Sequence, residues 1–218
     1  TNTTTILTGK PASPGHRNGA LSVAEFNTPL KTVALSNETL AVTDGLNKCI
    51  RKLDLINDRT SDLKCLDKYD FIAVIFGISM RPGTSDLYFS FVGGLGMLNS
   101  AENDPDPVFL TPKRTILYGL RDGALNQAIF DKYPETLLFL DANTIFVTGR
   151  GMMVIQVVSL LTEQVSSICT LQNENATRTS IPNDHCCLTL KGIGYLLGHI
   201  LKLGSLLSIQ HPQQQQPE

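Results

Sequence analysis

The residues best suited to chemistry fall in three short stretches, and each meets a different geometric obstacle. Asp184-His185-Cys186-Cys187 collects side chains that bind zinc or act as a thiolate nucleophile. Structural zinc sites space their ligands by two to four residues so that both side chains turn to one ion, and adjacent residues seldom chelate together. A nucleophilic cysteine needs a base, and His199 serves only if the fold returns it to Cys186 or Cys187. The reading adopted is buried structural cysteine, with no metal, no cofactor and no catalytic residue assigned.

In Gly149-Arg150-Gly151 a guanidinium sits between two glycines, directly ahead of a helix-like pattern. Backbone N–H groups at a helix start favour an anion, which makes Arg150 and Gly151 the anion-binding candidates. Gly93-Gly94-Leu95-Gly96 follows a strand-like run, as a dinucleotide loop would. Asn99 stands where that fingerprint needs its third glycine, and Asn103-Asp104-Pro105-Asp106-Pro107 breaks the helix that should follow. The nucleophile-elbow, zinc-protease and phosphate-loop motifs are absent from the sequence.

Charge narrows the function classes. With 18 basic and 20 acidic residues the net charge is −2, so no long-range field draws phosphate or anionic lipid. This argues against nucleic acid as a partner, except as RNA held inside an assembly. Lys48, Arg51 and Lys52 interleave with Asp44, Asp54 and Asp58 and read as a solvated helix face. Five cysteines at irregular spacing suggest reduced, buried thiols. Reading Thr1 as the residue after an excised initiator Met, a cytoplasmic protein is expected. The alternative is a secreted one, with Thr1 following a cleaved signal peptide and sugar on the sequons at Asn2, Asn37 and Asn175.

The elements that must position these groups predict an α+β fold with a small mixed sheet and several packed helices. Residues 1–18 form an extended arm, 19–209 a single domain and 210–218 a low-complexity polar tail. Residues 20–26 and 30–35 are β-prone runs around a turn. Val42, Leu46, Cys49, Leu53 and Ile56 recur at helical spacing after Asn37. A second helical pattern begins at Ser61, and 71–76 is an apolar run compatible with helix end or central strand. Residues 87–92 predict a strand, Thr111-Pro112 a helix start, and 122–133 a further helix. Strands at 137–140 and 144–148 turn at Asp141-Ala142-Asn143.

The most prominent pattern follows those strands. Val154, Val157, Val158, Leu161, Val165 and Ile168 line one face of an expected long helix, the first of two C-terminal ones. The second, 188–209, is apolar nearly all round. Two lysines and a histidine argue against a transmembrane span, although a membrane-surface role stays open. Gly194 and Gly198 permit close helix approach, so Gly194, Tyr195, Gly198, His199 and Lys202 mark a candidate interface. The function expected is a non-enzymatic structural or assembly protein, a self-associating homo-oligomeric subunit of virus coat or matrix character. The alternative is a small-molecule or nucleotide-binding domain or enzyme using Gly93-Gly94-Leu95-Gly96 or Gly149-Arg150-Gly151.

Overall fold

Apolar runs of five to eight residues, separated by tight turns, form antiparallel strands in this chain where helical spacing suggested helices. The computed structural model describes residues 5–113, 119–150 and 154–168. The first sheet contains β1 (Gly19–Ala20), β2 (Pro29–Ala34), β3 (Thr39–Asp44), β4 (Cys49–Asp54) and β5 (Arg59–Cys65), in the spatial order β1-β5-β4-β3-β2. The second follows as β6 (Ile75–Met80), β7 (Asp86–Phe91), β8 (Gly94–Asn99) and β9 (Val108–Phe109), neighbours in that order. The third contains β10 (Gly123–Ala124), β11 (Pro134–Asp141), β12 (Thr144–Gly149), β13 (Ile155–Ser159) and β14 (Gln164–Ile168), ordered β10-β14-β13-β12-β11.

The expected α+β architecture is therefore wrong for the described residues, whose one helical element is a single 3-10 turn at Leu21–Val23. The error has a common cause. Two strands joined by a four-residue turn place apolar residues at intervals that mimic a helix. Val158 and Val165 are buried and face each other across β13 and β14, but Leu161 between them is 80% exposed at the turn. Val42, Cys49 and Leu53 are likewise buried in β3 and β4, while Leu46 is 52% exposed in their turn. Lys48 and Glu163 have positive φ, a conformation no helix interior accepts.

The helix expected from Ser61 is the end of β5, and residues 71–76 lead into β6. The Thr111 hydroxyl accepts from Leu95 N and donates to Leu95 O beside β8, and most of the helix expected after it lies outside the described residues. Asp122 instead accepts from the backbone N–H and hydroxyl of Ser167. The expected strands at 87–92, 137–140 and 144–148 are present in β7, β11 and β12, the last two paired through the predicted turn. The second C-terminal helix lies outside the described residues.

The second sheet lies between the other two. On β7, Leu87, Phe89 and Phe91 join the core shared with the first sheet, and Tyr88 joins the core shared with the third. A strand buried on both faces explains why Leu87, Tyr88 and Phe89 follow one another without polar alternation. Each junction carries the same device near the end of the strand beside a sheet's inner edge, β3 or β7. The Thr43 hydroxyl donates to Phe76 O at 3.0 Å, and the Ser90 hydroxyl donates to Pro134 O while accepting from Gly77 N. A Cβ on Gly77 would fall 2.8 Å from Ser90 Oγ and 3.0 Å from Glu135 O, so β6 and β11 approach closely only because that side chain is absent.

The loop after β8 is held from the first sheet. Lys64 on β5 is 4% exposed and places Nζ 2.9 Å from Asp104 Oδ1. Burial lowers the Lys64 pKa, but the hydrogen bond and the charges of Asp104 and Asp106 outweigh it and leave the group raised. The same hydrogen bond and charge lower that of Asp104. No described helix is long and apolar enough to cross a membrane.

Two outcomes follow for stability. Gly77→Ala should cost about 1–3 kcal/mol of unfolding free energy by overpacking, read from urea denaturation. A depressed Asp104 stabilises the fold above its ordinary value of 3.8, and that contribution disappears as pH falls through its folded pKa. Asp104→Asn should therefore lower the denaturation midpoint at neutral pH, and the gap to the unsubstituted protein should close in strong acid.

Candidate functional site

The inner strands β2, β6 and β11 begin near one another, and the residues at their starts leave a recess of about 340 Å³. Thr28 and Leu30 come from the entry to β2, Val74 and Phe76 from the entry to β6, and Tyr133 and Glu135 from the entry to β11. Leu46 enters from the β3–β4 turn and Arg150 from the end of β12. That turn is fixed in place because Gly45 N donates to Thr28 O and Ile75 N to Gly45 O. Arg150 is fixed similarly, its N–H donating to Tyr133 O at 3.2 Å.

One wall is aromatic. Phe76 and Tyr133 meet edge to face with centroids 5.7 Å apart, and Leu30 and Tyr133 are each 37% exposed toward solvent. Uncovered apolar surface around a concavity is where an apolar group gains most by leaving water. The charged pair is Arg150 and Glu135, joined through Nη2 and Oε1, with the Arg150 side chain 74% exposed. The site offers an apolar floor, an aromatic wall and one cation on the rim.

Arg150, expected to present its guanidinium to an anion at a helix N-terminus, lines this recess without that helix; residues 155–159 form β13. Gly151, Gly194, Tyr195, Gly198, His199, Lys202 and the Asp184-His185-Cys186-Cys187 stretch lie outside the described residues. Gly93 is in the β7–β8 turn with φ 70°, and Gly94 and Gly96 belong to β8. Their missing side chains make room for phenylalanine: a Cβ on Gly94 would lie 2.6 Å from the Phe91 ring, and one on Gly96 would strike Phe89. The adjoining cleft beside Gly93 measures about 10 Å³.

Sequence reasoning missed a second cluster entirely. Asp44 and Arg51, read as a solvated helix face, are both 0% exposed. Asp44 accepts from Asn27 N, Asn47 Nδ2 and Arg51 Nη1 at 2.6, 2.9 and 2.8 Å. Arg51 also donates to Glu25 O, Arg17 O and Asn18 Oδ1, and its guanidinium lies 4.8 Å from the Phe26 ring centroid. Its Nε is 2.7 Å from Asp62 Oδ1, an ion-pair distance without hydrogen-bond alignment. Beside this network Cys49 and Cys65 form a disulfide between paired strands, where reduced thiols were expected.

A repeat offered the missing signal. Gly19-Ala20-Leu21 with Ala24 and Phe26 recurs as Gly123-Ala124-Leu125 with Ala128 and Phe130. Both copies form an outer strand, then an antiparallel bridge, Arg17 to Glu25 and Arg121 to Ile129. In the first copy Arg51 donates to Glu25 O; in the second the buried Gln156 donates to Ile129 O. Aligned with a one-residue gap after the repeat, Arg51 in β4 falls opposite Gln156 in β13, a polar residue in each copy.

No protein-family model and no curated protein matches this chain. Solved structures with some likeness include a structural-genomics protein of unknown function from Bacteroides thetaiotaomicron, 12% identical with a TM-score of 0.31, covering 75% of this chain and 63% of that one. The structure of U3-55K is 16% identical at a TM-score of 0.40, covering 62% and 35% respectively. An auxiliary nutrient binding protein from Bacteroides ovatus is 10% identical at 0.46, covering 79% and 50%. The chain spans less than two thirds of each neighbour, and every score is below 0.5, so the architecture rests on the strand pairings above.

Arg51→Ala should destabilise the protein by about 3–5 kcal/mol, because it leaves the Asp44 carboxylate buried without its cation. Gln156→Ala should cost less, since it strands only the neutral carbonyl of Ile129. Equilibrium denaturation of the two variants compares them directly.

Proposed function

We propose that this chain is a non-enzymatic recognition scaffold. Its three meandering sheets stand in the manner of consecutive propeller blades, and it binds its ligand where the inner strands begin. The observation carrying this reading is the recess of about 340 Å³ lined by Leu30, Leu46, Val74, Phe76 and Tyr133, with Arg150 on its rim. In propellers the sheets pack around an axis, and loops at one end of the inner strands are free to vary without disturbing the cores. The side chains present suit an aromatic or branched apolar group bearing a carboxylate: the apolar part covers Leu30 and Tyr133, and the anion exchanges with Glu135 for Arg150. The small-molecule-binding alternative is favoured by that same position of Arg150, and the two readings meet in one site.

An oxidising compartment fits the molecule better than the cytoplasm. The Cys49–Cys65 disulfide supports this, as does Asn37, whose sequon stands exposed in the β2–β3 turn. Intact mass of protein from its native source should show the disulfide and sugar on Asn37.

Binding is tested by thermal shift with phenylpropionate and with short peptides ending in phenylalanine, each beside its neutral amide. The carboxylates should raise Tm, since a ligand at a hundred times its Kd adds about 2.7 kcal/mol to the folded state. Arg150→Ala should abolish the preference for carboxylate over amide, and Tyr133→Ala should weaken both. An unchanged Tm with every probe, or a response that Arg150→Ala and Tyr133→Ala leave intact, refutes the recess as the binding site.

A further inference from the structure

The β4–β5 ladder contains an irregularity with chemical consequences. Cys49 is opposite Cys65 and Arg51 is opposite Asp62, so β5 carries one residue more than β4 between the two pairings. In a regular strand residues 62 and 65, an odd number apart, would point to opposite faces. The bulge turns Asp62 onto the face that carries Cys65 and, across the ladder, Cys49. His16, from the segment ahead of β1, then completes the group, its Nε2 2.9 Å from Asp62 Oδ1. Donor atoms of His16, Cys49, Asp62 and Cys65 all lie within 4.8 Å of one another.

We propose that these four side chains form a redox-gated zinc site. In the oxidised state Cys49 and Cys65 are joined and offer no thiolate. A dithiol reductant transfers two electrons and two protons to the S–S bond, leaving two cysteine thiols and becoming a disulfide itself. Zinc then displaces one proton from each thiol to solvent and is held by two sulfurs, the neutral His16 imidazole and the Asp62 carboxylate.

Two thiolates, one imidazole and one carboxylate are a tetrahedral zinc donor set. Zn–S bonds of about 2.3 Å in that geometry separate the sulfurs by roughly 3.8 Å, which the freed side chains reach by rotating about χ1. The thiolates and Asp62 supply three negative charges against the ion's two positive ones. The filled site would carry one net negative charge, beside the Arg51 guanidinium that Asp44 and Asp62 share. Arg51 Nε, 2.7 Å from Asp62 Oδ1, holds the carboxylate toward the cysteines. Cys49 is buried and Cys65 and His16 are partly exposed, so reductant and ion enter from the His16 side.

The experiment uses the full chain with Cys169, Cys186 and Cys187 changed to Ser, so that only Cys49 and Cys65 bind through sulfur. Protein reduced with dithiothreitol and desalted under nitrogen is titrated with Zn²⁺ against a chromophoric chelator, and separately with Co²⁺. The expected result is one zinc per chain after reduction, none before it, and a thiolate-to-cobalt charge-transfer band. His16→Ala, which removes a half-exposed ligand and leaves the Arg51–Asp44 pair intact, should weaken zinc binding tenfold or more with an unchanged circular dichroism spectrum. Absence of stoichiometric uptake by the reduced protein overturns the proposal. So does undiminished uptake by Cys49→Ser/Cys65→Ser, or an affinity in His16→Ala equal to that of its parent.

Discussion

A guanidinium sealed from water is the constraint on which the first sheet depends. Arg51 and Asp44 are wholly buried, and a charge in that position is tolerable only where its partners are fixed and its hydrogen bonds filled. Besides Asp44 and Asp62 on the neighbouring strands, the partners of Arg51 all belong to the segment around β1: the carbonyls of Arg17 and Glu25, the amide of Asn18 and the ring of Phe26. Residues 15–28 are thus tied to the sheet by a polar anchor as well as by burial of Leu21 and Ala24. The same demand for partners sets strand register, because a slip of one residue would carry Arg51 to the other face.

The third sheet repeats the geometry without the charge. Gln156 occupies the place of Arg51 and reaches the carbonyl of Ile129 as Arg51 reaches that of Glu25. Shared need, and not shared chemistry, explains the pair: a bridging loop leaves a carbonyl pointing inward, and some donor must meet it. Between sheets, Thr43 and Ser90 meet the next inner strand in the same way. Because the inner strands are held close, their first residues converge, and turns that would otherwise be plain surface enclose an apolar recess.

Legibility in the sequence followed the distance over which the information acts. The strands at 137–140 and 144–148 were readable because an apolar run and a β-branched one flank an Asp-Ala-Asn turn and the pairing is local. The Gly93-Gly94-Leu95-Gly96 loop could be set aside as a dinucleotide fingerprint from spacing alone. Apolar periodicity failed at 42–56 and 154–168, where a turn between two strands reproduced the interval of a helix. What separated the readings was Leu46 and Leu161, apolar residues exposed at turns, and exposure is not written in a single sequence.

The sequence by itself determined a chain of near-neutral charge with enough apolar residues for several cores, its sharpest turns, and a cation at position 150 between two glycines. Tertiary structure alone decided that Arg51 and Asp44 face inward, that β7 is buried on both sides, and that His16, Cys49, Asp62 and Cys65 meet. The physical reason is that each of these depends on pairing between segments distant in sequence. A bulge in β5 redirects a side chain only once β4 lies beside it, and a charge is buried only once its partners arrive.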